Sequence, residues 1–132
     1  MNILLPLSLL ILALQASTAY AIDDCSKGKI DAEVNACAEK NRIEAEANLN
    51  KEYIAAKKRV ESTYDSDQAG KKQYLDTLLV AQRAWLKYRE NDCKLAGYAT
   101  DEGTNLRISF INMCITDANL ERIKSLKGIP YH

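Results

Sequence analysis

The chain is poor in the residues that most often carry chemistry or make tight turns. It has one His, at the last of its 132 positions, with five Gly, two Pro, one Trp and one Phe. A lone terminal imidazole leaves no His-based catalytic dyad and no His metal site to build. The shortage of Gly and Pro disfavours an all-β sandwich or barrel, which needs many tight turns, and points to long helices. No sign of charge is in surplus: 18 Lys plus Arg stand against 18 Asp plus Glu. Phosphate affinity comes from counterion release by excess Lys and Arg, so a general nucleic-acid binder is excluded. The length suits one small domain.

What is present begins with an almost wholly apolar stretch from Ile3 to Leu14, followed by Gln15, Ala16, Ser17, Thr18 and the triplet Ala19-Tyr20-Ala21. The stretch is too short to span a bilayer comfortably, and the small-x-small triplet suits signal peptidase. Residues 1–21 therefore read as a secretory signal peptide cut after Ala21, and residues 22–132 as one domain with no stable membrane insertion. A lipid anchor would need Cys directly after the cut, but Ile22, Asp23 and Asp24 precede Cys25. The localisation this implies is periplasmic or secreted.

All four cysteines, Cys25, Cys37, Cys93 and Cys114, fall in the exported part. An even number in an oxidising compartment implies two disulfides, with three connectivities open. Zinc would call for close pairs such as C-x-x-C, which are absent, so no metal and no other cofactor is expected.

Apolar residues recur at helical spacing through the whole stretch from Ile22 to Ile129, which contains no Pro. Three helices account for it, giving an all-α antiparallel bundle stapled by two disulfides. The first runs from about Asp31 to Tyr64 with a stripe at Val34, Cys37, Ala45, Leu49, Tyr53, Ala56 and Val60. The second runs from Asp67 to Ala96 with Leu75, Leu78, Leu79, Trp85, Leu86 and Cys93 inward, and Gly97 closes it. After a polar loop to Gly103, Thr104 caps a third helix bearing Leu106, Phe110, Ile111, Cys114, Ile115, Ala118, Ile123 and Leu126, which Gly128 and Pro130 end.

Gln82 and Arg89 break the second helix's pattern, since both share the side of Leu75, Leu78, Trp85 and Cys93. A guanidinium near a core must be paired and an amide must be hydrogen-bonded. With the turn near residue 67 as hairpin centre, Gln82 comes level with Asn50 and Glu52, and Arg89 with Ala45, Glu44 and Glu46. A structural polar network that sets helix register is the expectation.

The run Ala81-Gln82-Arg83-Ala84-Trp85-Leu86-Lys87-Tyr88-Arg89, with Cys93 four further on, resembles the signature of the secreted bacterial LprI lysozyme inhibitor family. Supporting pieces follow the family's order: Asp24-Cys25, Val34-Asn35-Ala36-Cys37-Ala38, Leu49-Asn50-Lys51-Glu52-Tyr53, Gly103-Thr104, and Cys114 followed by Leu120, Arg122 and Leu126. The chain departs from the pattern at Glu102, where a glycine is usual, and at Asn119, where a Thr is common. The resemblance implies a small helical, disulfide-bonded protein of the periplasm or cell exterior, with a lysozyme or other muramidase as partner. It also implies pairing of Cys25 with Cys37 and Cys93 with Cys114. Helix geometry alone leaves Cys37 with Cys93 open, because they lie at similar heights across the first hairpin. The structural polar network is then Asn50, Gln82, Arg89 and Arg122.

Charge is unevenly placed. Residues 22–52 carry eight acids and five bases, 53–89 four and eight, and 90–132 six and five. An antiparallel bundle gathers Asp23, Asp24, Asp31, Glu33, Glu90, Asp92, Asp101 and Glu102 at one end, and Lys57, Lys58, Arg59, Lys71 and Lys72 at the other. An acidic end would steer a basic partner such as a c-type lysozyme. Tyr98, Asp101, Glu102 and Thr104 in the loop before the third helix are the expected partner-binding residues, with Arg83 and Lys87 next in line. An enzyme is not expected: the acids stand on exposed helical positions beside Lys or Arg, and bridged cysteines leave no free thiol. The alternative is a structural or stress-related envelope protein that contacts other envelope components without inhibiting an enzyme. Nothing in the sequence assigns an oligomeric state.

Overall fold

The computed structural model describes residues 21–131; the expected signal peptide therefore lies, but for Ala21, outside the described residues, as does His132. Three helices carry the fold: α1 (Asp31–Thr63), α2 (Gln68–Ala96) and α3 (Asn105–Lys127). Their ends follow local chemistry. Asp67 accepts a hydrogen bond from the Gly70 N–H at 2.9 Å, and Thr104 accepts one from the Arg107 N–H at 3.2 Å, each satisfying an orphan donor of a first turn. Ile30, which precedes α1, offers no side-chain cap. Instead Asp31 and Glu33 place negative charge in the first turn, and Glu33 also accepts from the Lys29 N–H at 2.8 Å. Two short 3₁₀ turns that helical periodicity does not announce, Cys25–Lys27 and Gly97–Ala99, precede α1 and follow α2.

The helices run up, down and up, so α1 and α3 are parallel. Arg59, late in α1, donates to the carbonyls of Leu126 and Ile129 at 2.7 and 2.8 Å, which ties together the far ends of both helices. The closest backbone approach of α1 is to α3 rather than to α2, its neighbour in sequence. Small residues make this possible: Ala38, Ala45 and Ala56 on α1 and Ser109 and Thr116 on α3 are all buried. Interaxial distance follows the size of the side chains at the contact, and these are among the smallest. The buried hydroxyls are satisfied within α3, Ser109 by the Asn105 carbonyl and Thr116 by the Asn112 carbonyl, both at 2.8 Å.

Two residues expected in the core are corrected. Leu79 on α2 and Phe110 on α3 are exposed, and Ser109, Asn112, Thr116 and Asn119 are buried in α3. A Phe ring in the seam would hold the two helices apart. The continuous apolar core, Leu49, Ala56, Val60, Leu78, Ile123, Leu126 and Ile129, fills the half of the bundle nearest the α1–α2 turn, with Tyr53, Tyr64, Tyr74, Trp85 and Leu86 packed around it. The other half is held by covalent bonds. Cys25 pairs with Cys37 and Cys93 with Cys114, at Cα separations of 5.6 and 5.5 Å, which excludes the rival Cys37–Cys93 pairing.

Candidate functional site: a clamped loop and the network behind it

The network behind the loop centres on Arg89. Its side chain is only 5% exposed, and its Nη1 donates to Asn119 Oδ1 at 2.6 Å and to Glu46 Oε2 at 3.3 Å. Nη2 donates to Glu90 Oε1 at 2.5 Å, and the guanidinium lies 5.4 Å from the centre of the Trp85 ring. Two carboxylates thus offset the cost of burying the cation. The pairing with Glu46 is the level that hairpin geometry indicates. Arg89 Nε and Asn119 Nδ2 are buried without a hydrogen-bond partner among the described residues. Asn119, standing where the family pattern favours Thr, supplies the carbonyl oxygen that receives Arg89.

Gln82 departs from expectation. It is buried and accepts from Arg122 Nε on α3 at 3.0 Å, so its partner is neither Asn50 nor Glu52. Arg122 in turn lies 5.6 Å from the Trp85 ring, which therefore sits against two guanidinium groups. Asn50 is exposed on α1 and stands outside this network, because α3 occupies the space next to Gln82 that the two-helix picture assigned to α1. Glu52 instead pairs with Arg59 at 2.9 Å.

The loop of residues 97–104 sits between α2 and α3, and the Cys93–Cys114 bond ties the two helices together close behind it. Its floor is tight. A Cβ at Gly97 would come 3.0 Å from Ile111 Cδ1 and 3.1 Å from Arg107 Cγ, so a larger residue there would have to push these two α3 side chains aside by a few tenths of an ångström. Gly103 has φ +76°, a left-handed conformation that L side chains rarely adopt. Thr104, besides capping α3, donates its hydroxyl to the Asp101 carbonyl at 2.8 Å. Its polar atoms are thus committed to holding the loop's shape.

Tyr98 is 75% exposed, and its ring is backed by the Arg107 guanidinium, whose carbon lies 4.9 Å from the ring centre. Arg107 also donates to the Thr100 carbonyl at 3.3 Å. Sequence reasoning passed over Arg107. Its position three residues after the Thr104 cap, which places it beside the loop, is the signal that could have found it. Asp101 and Glu102 are exposed and have no ion-pair partner among the described residues.

Three of the other acids expected at this end are already engaged in ion pairs. Asp23 pairs with Lys40 at 2.6 Å, Asp24 lies 3.9 Å from Lys27, and Glu90 meets Arg89. The Ser26 hydroxyl and N–H, both donating to Asp24, hold that carboxyl below the usual carboxylate range, and Asp23 holds the Lys40 ammonium above its ordinary value. The acidic end therefore shows a partner fewer free charges than a count of residues suggests. At the opposite end, Arg59 is spent on Glu52 and the C-terminal carbonyls, and Lys71 and Lys72 on Asp65 and Asp76. Among the described residues no group of three or more His, Cys, Asp or Glu could hold a metal ion, and no helix is long and apolar enough to cross a membrane.

Comparison with known proteins places this arrangement. An uncharacterized protein of Rhizobium meliloti (strain 1021) is 30% identical over 109 residues, which cover 80% of this chain and 78% of that protein. No solved structure matches. The family model described as lysozyme inhibitor LprI matches residues 23–126, which span all three helices and both disulfides, and the chain belongs to that family.

Proposed function

We propose that the protein is exported to the periplasm or cell exterior and there binds and blocks a cell-wall-degrading muramidase, with the loop of residues 97–104 as the contacting element. The family description supports the class of activity. The observation that carries the choice of surface is Tyr98, 75% exposed and braced by Arg107, beside the unpaired carboxylates of Asp101 and Glu102. A loop clamped by a disulfide and closed by a capping Thr loses little conformational freedom on binding. Tyrosine presents a rigid amphipathic side chain with few torsions to freeze, suited to a sugar subsite of a muramidase. The two carboxylates add attraction to a basic enzyme, strongest at low salt.

The test is inhibition of muramidase digestion of cell walls by the wild type and by the triple variant Tyr98→Ala, Asp101→Asn, Glu102→Gln. At least a tenfold loss of inhibition is expected, with helical content and melting temperature unchanged. Full inhibition by the triple variant would move the contact elsewhere, with Arg83 and Lys87 on the exposed flank of α2 the next residues to replace. A second reading, an envelope protein that contacts other envelope components without inhibiting an enzyme, is favoured by the exposed Val80, Tyr88 and Leu95 on α2. Wild-type protein that leaves every lysozyme class uninhibited at stoichiometric ratio would favour that reading.

A further inference from the structure

At the end of the bundle away from the clamped loop, a groove of about 480 Å³ opens between α2, the end of α1 and the C-terminal tail. Pockets of this size with mostly apolar walls and few polar groups are the usual form of a small-molecule site. The α2 wall is Gly70, Gln73, Tyr74, Thr77, Leu78 and Ala81. These positions recur at helical steps of three and four, so the groove follows the helix for about 16 Å, at a rise of about 1.5 Å per residue. Tyr64 and Tyr74, with ring centres 5.5 Å apart, and Ile129 and Tyr131 complete the apolar surface. The tail is pinned there by the Tyr131 N–H, which donates to the Tyr74 hydroxyl at 3.3 Å.

Among the described residues one charged group lines this groove, Arg122 at the Ala81 end, and no acidic one does. Its Nε is used by Gln82, which fixes the plane of the guanidinium, and its two terminal nitrogens have no hydrogen-bond partner among the described residues. A planar fork of two free N–H groups matches a carboxylate bidentately, whereas a phosphate dianion would call for more than one cation. An elongated apolar trough with one cation at one end matches a molecule with an apolar chain and one terminal monoanion.

We propose that this groove binds a single-chain carboxylate amphiphile of the fatty-acid class, its carboxylate on Arg122 and its hydrocarbon chain along the tyrosine-walled trough toward Gly70. The site lies apart from the loop of residues 97–104 and does not rest on the muramidase reading. Trp85, the only tryptophan, lies 5.6 Å from the Arg122 guanidinium and reports occupancy by its fluorescence.

The experiment titrates the folded protein with dodecanoate kept below its micelle threshold, in parallel with dodecanol, which has the same tail and no charge. Saturable binding of dodecanoate, at least tenfold tighter than that of dodecanol, is expected. Arg122→Gln should weaken dodecanoate at least tenfold and leave dodecanol unchanged. Ala81→Phe alters an exposed position of α2, should keep the fold, and fills the groove, so both ligands should weaken at least tenfold. Equal affinity for the two ligands, or unchanged dodecanoate affinity in either variant, would overturn the proposal. So would binding that appears only when His132 is deleted, which would make the chain's own end the occupant. Binding to anionic lipid vesicles without any binding of dodecanoate monomer would also overturn it, by making this face a membrane contact.

Discussion

Arg89 meets two carboxylates and one amide oxygen while only 5% of its side chain reaches solvent, so its replacement exposes the cost of what it leaves behind. Glu90 is half exposed and returns to water easily, whereas Asn119 is fully buried and its side-chain oxygen would lose its donor. Arg89→Ala is expected to lower unfolding stability by about 2–4 kcal/mol, read from urea denaturation followed by circular dichroism. A loss below about half a kcal/mol would mean that water replaces the guanidinium without penalty. The pairing with Glu46 was legible in the sequence, because a hairpin count brings the two level. Gln82's bond to Arg122 was not. It depends on the rotation of α3 about its own axis, and α3 lies 40 residues away in sequence.

The helices themselves were readable to within a residue or two, since their ends are set by Asp67, Thr104 and Gly128 acting on the nearest backbone groups. Their buried faces were less readable. A stripe of Leu or Ile announces itself by hydrophobicity, but the seam between α1 and α3 is built from Ala, Ser, Thr and Asn, which tolerate water equally well. Packing rather than polarity makes that face. Ala45 is 3% exposed in this seam, and Ala45→Leu would push α3 away from α1. A destabilisation of about 1–3 kcal/mol is expected, and it should exceed the effect of the same change at exposed Ala47. Equal melting temperatures for the two variants would show that the seam has room to spare. The loop of residues 97–104 shows the same division: its polarity and Thr104 cap were legible, while the bracing of Tyr98 by Arg107 required the path of the chain.

Taken whole, the molecule is held in two different ways. The half near the α1–α2 turn has the apolar core, and the half with the clamped loop has two disulfides and a polar seam. The bonds thus lie where hydrophobic burial is thinnest. Replacing Cys93 and Cys114 by Ser should cost about 3 kcal/mol in the chain-entropy view, and non-reducing peptide mapping of the wild type should return the 25–37 and 93–114 fragments. Hydrogen exchange in the variant should rise first in residues 97–112 and least around Leu49 and Leu126, both fully buried. Uniform loss of protection would show that the two halves unfold as one unit.

The sequence by itself determined the helical class, the number and approximate ends of the helices, and the presence of two bridges. Caps, periodicity and cysteine count act within a few residues or on the chain as a whole. Only the tertiary structure decided three things: that α1 approaches α3 more closely than α2, that Gln82 takes Arg122 as its partner in place of Asn50 or Glu52, and that a groove with one cation among the described residues opens beside the C-terminal tail. Each depends on how far apart and at what rotation three helices settle. Side-chain volumes at distant positions set that distance and rotation jointly, and no local pattern records them.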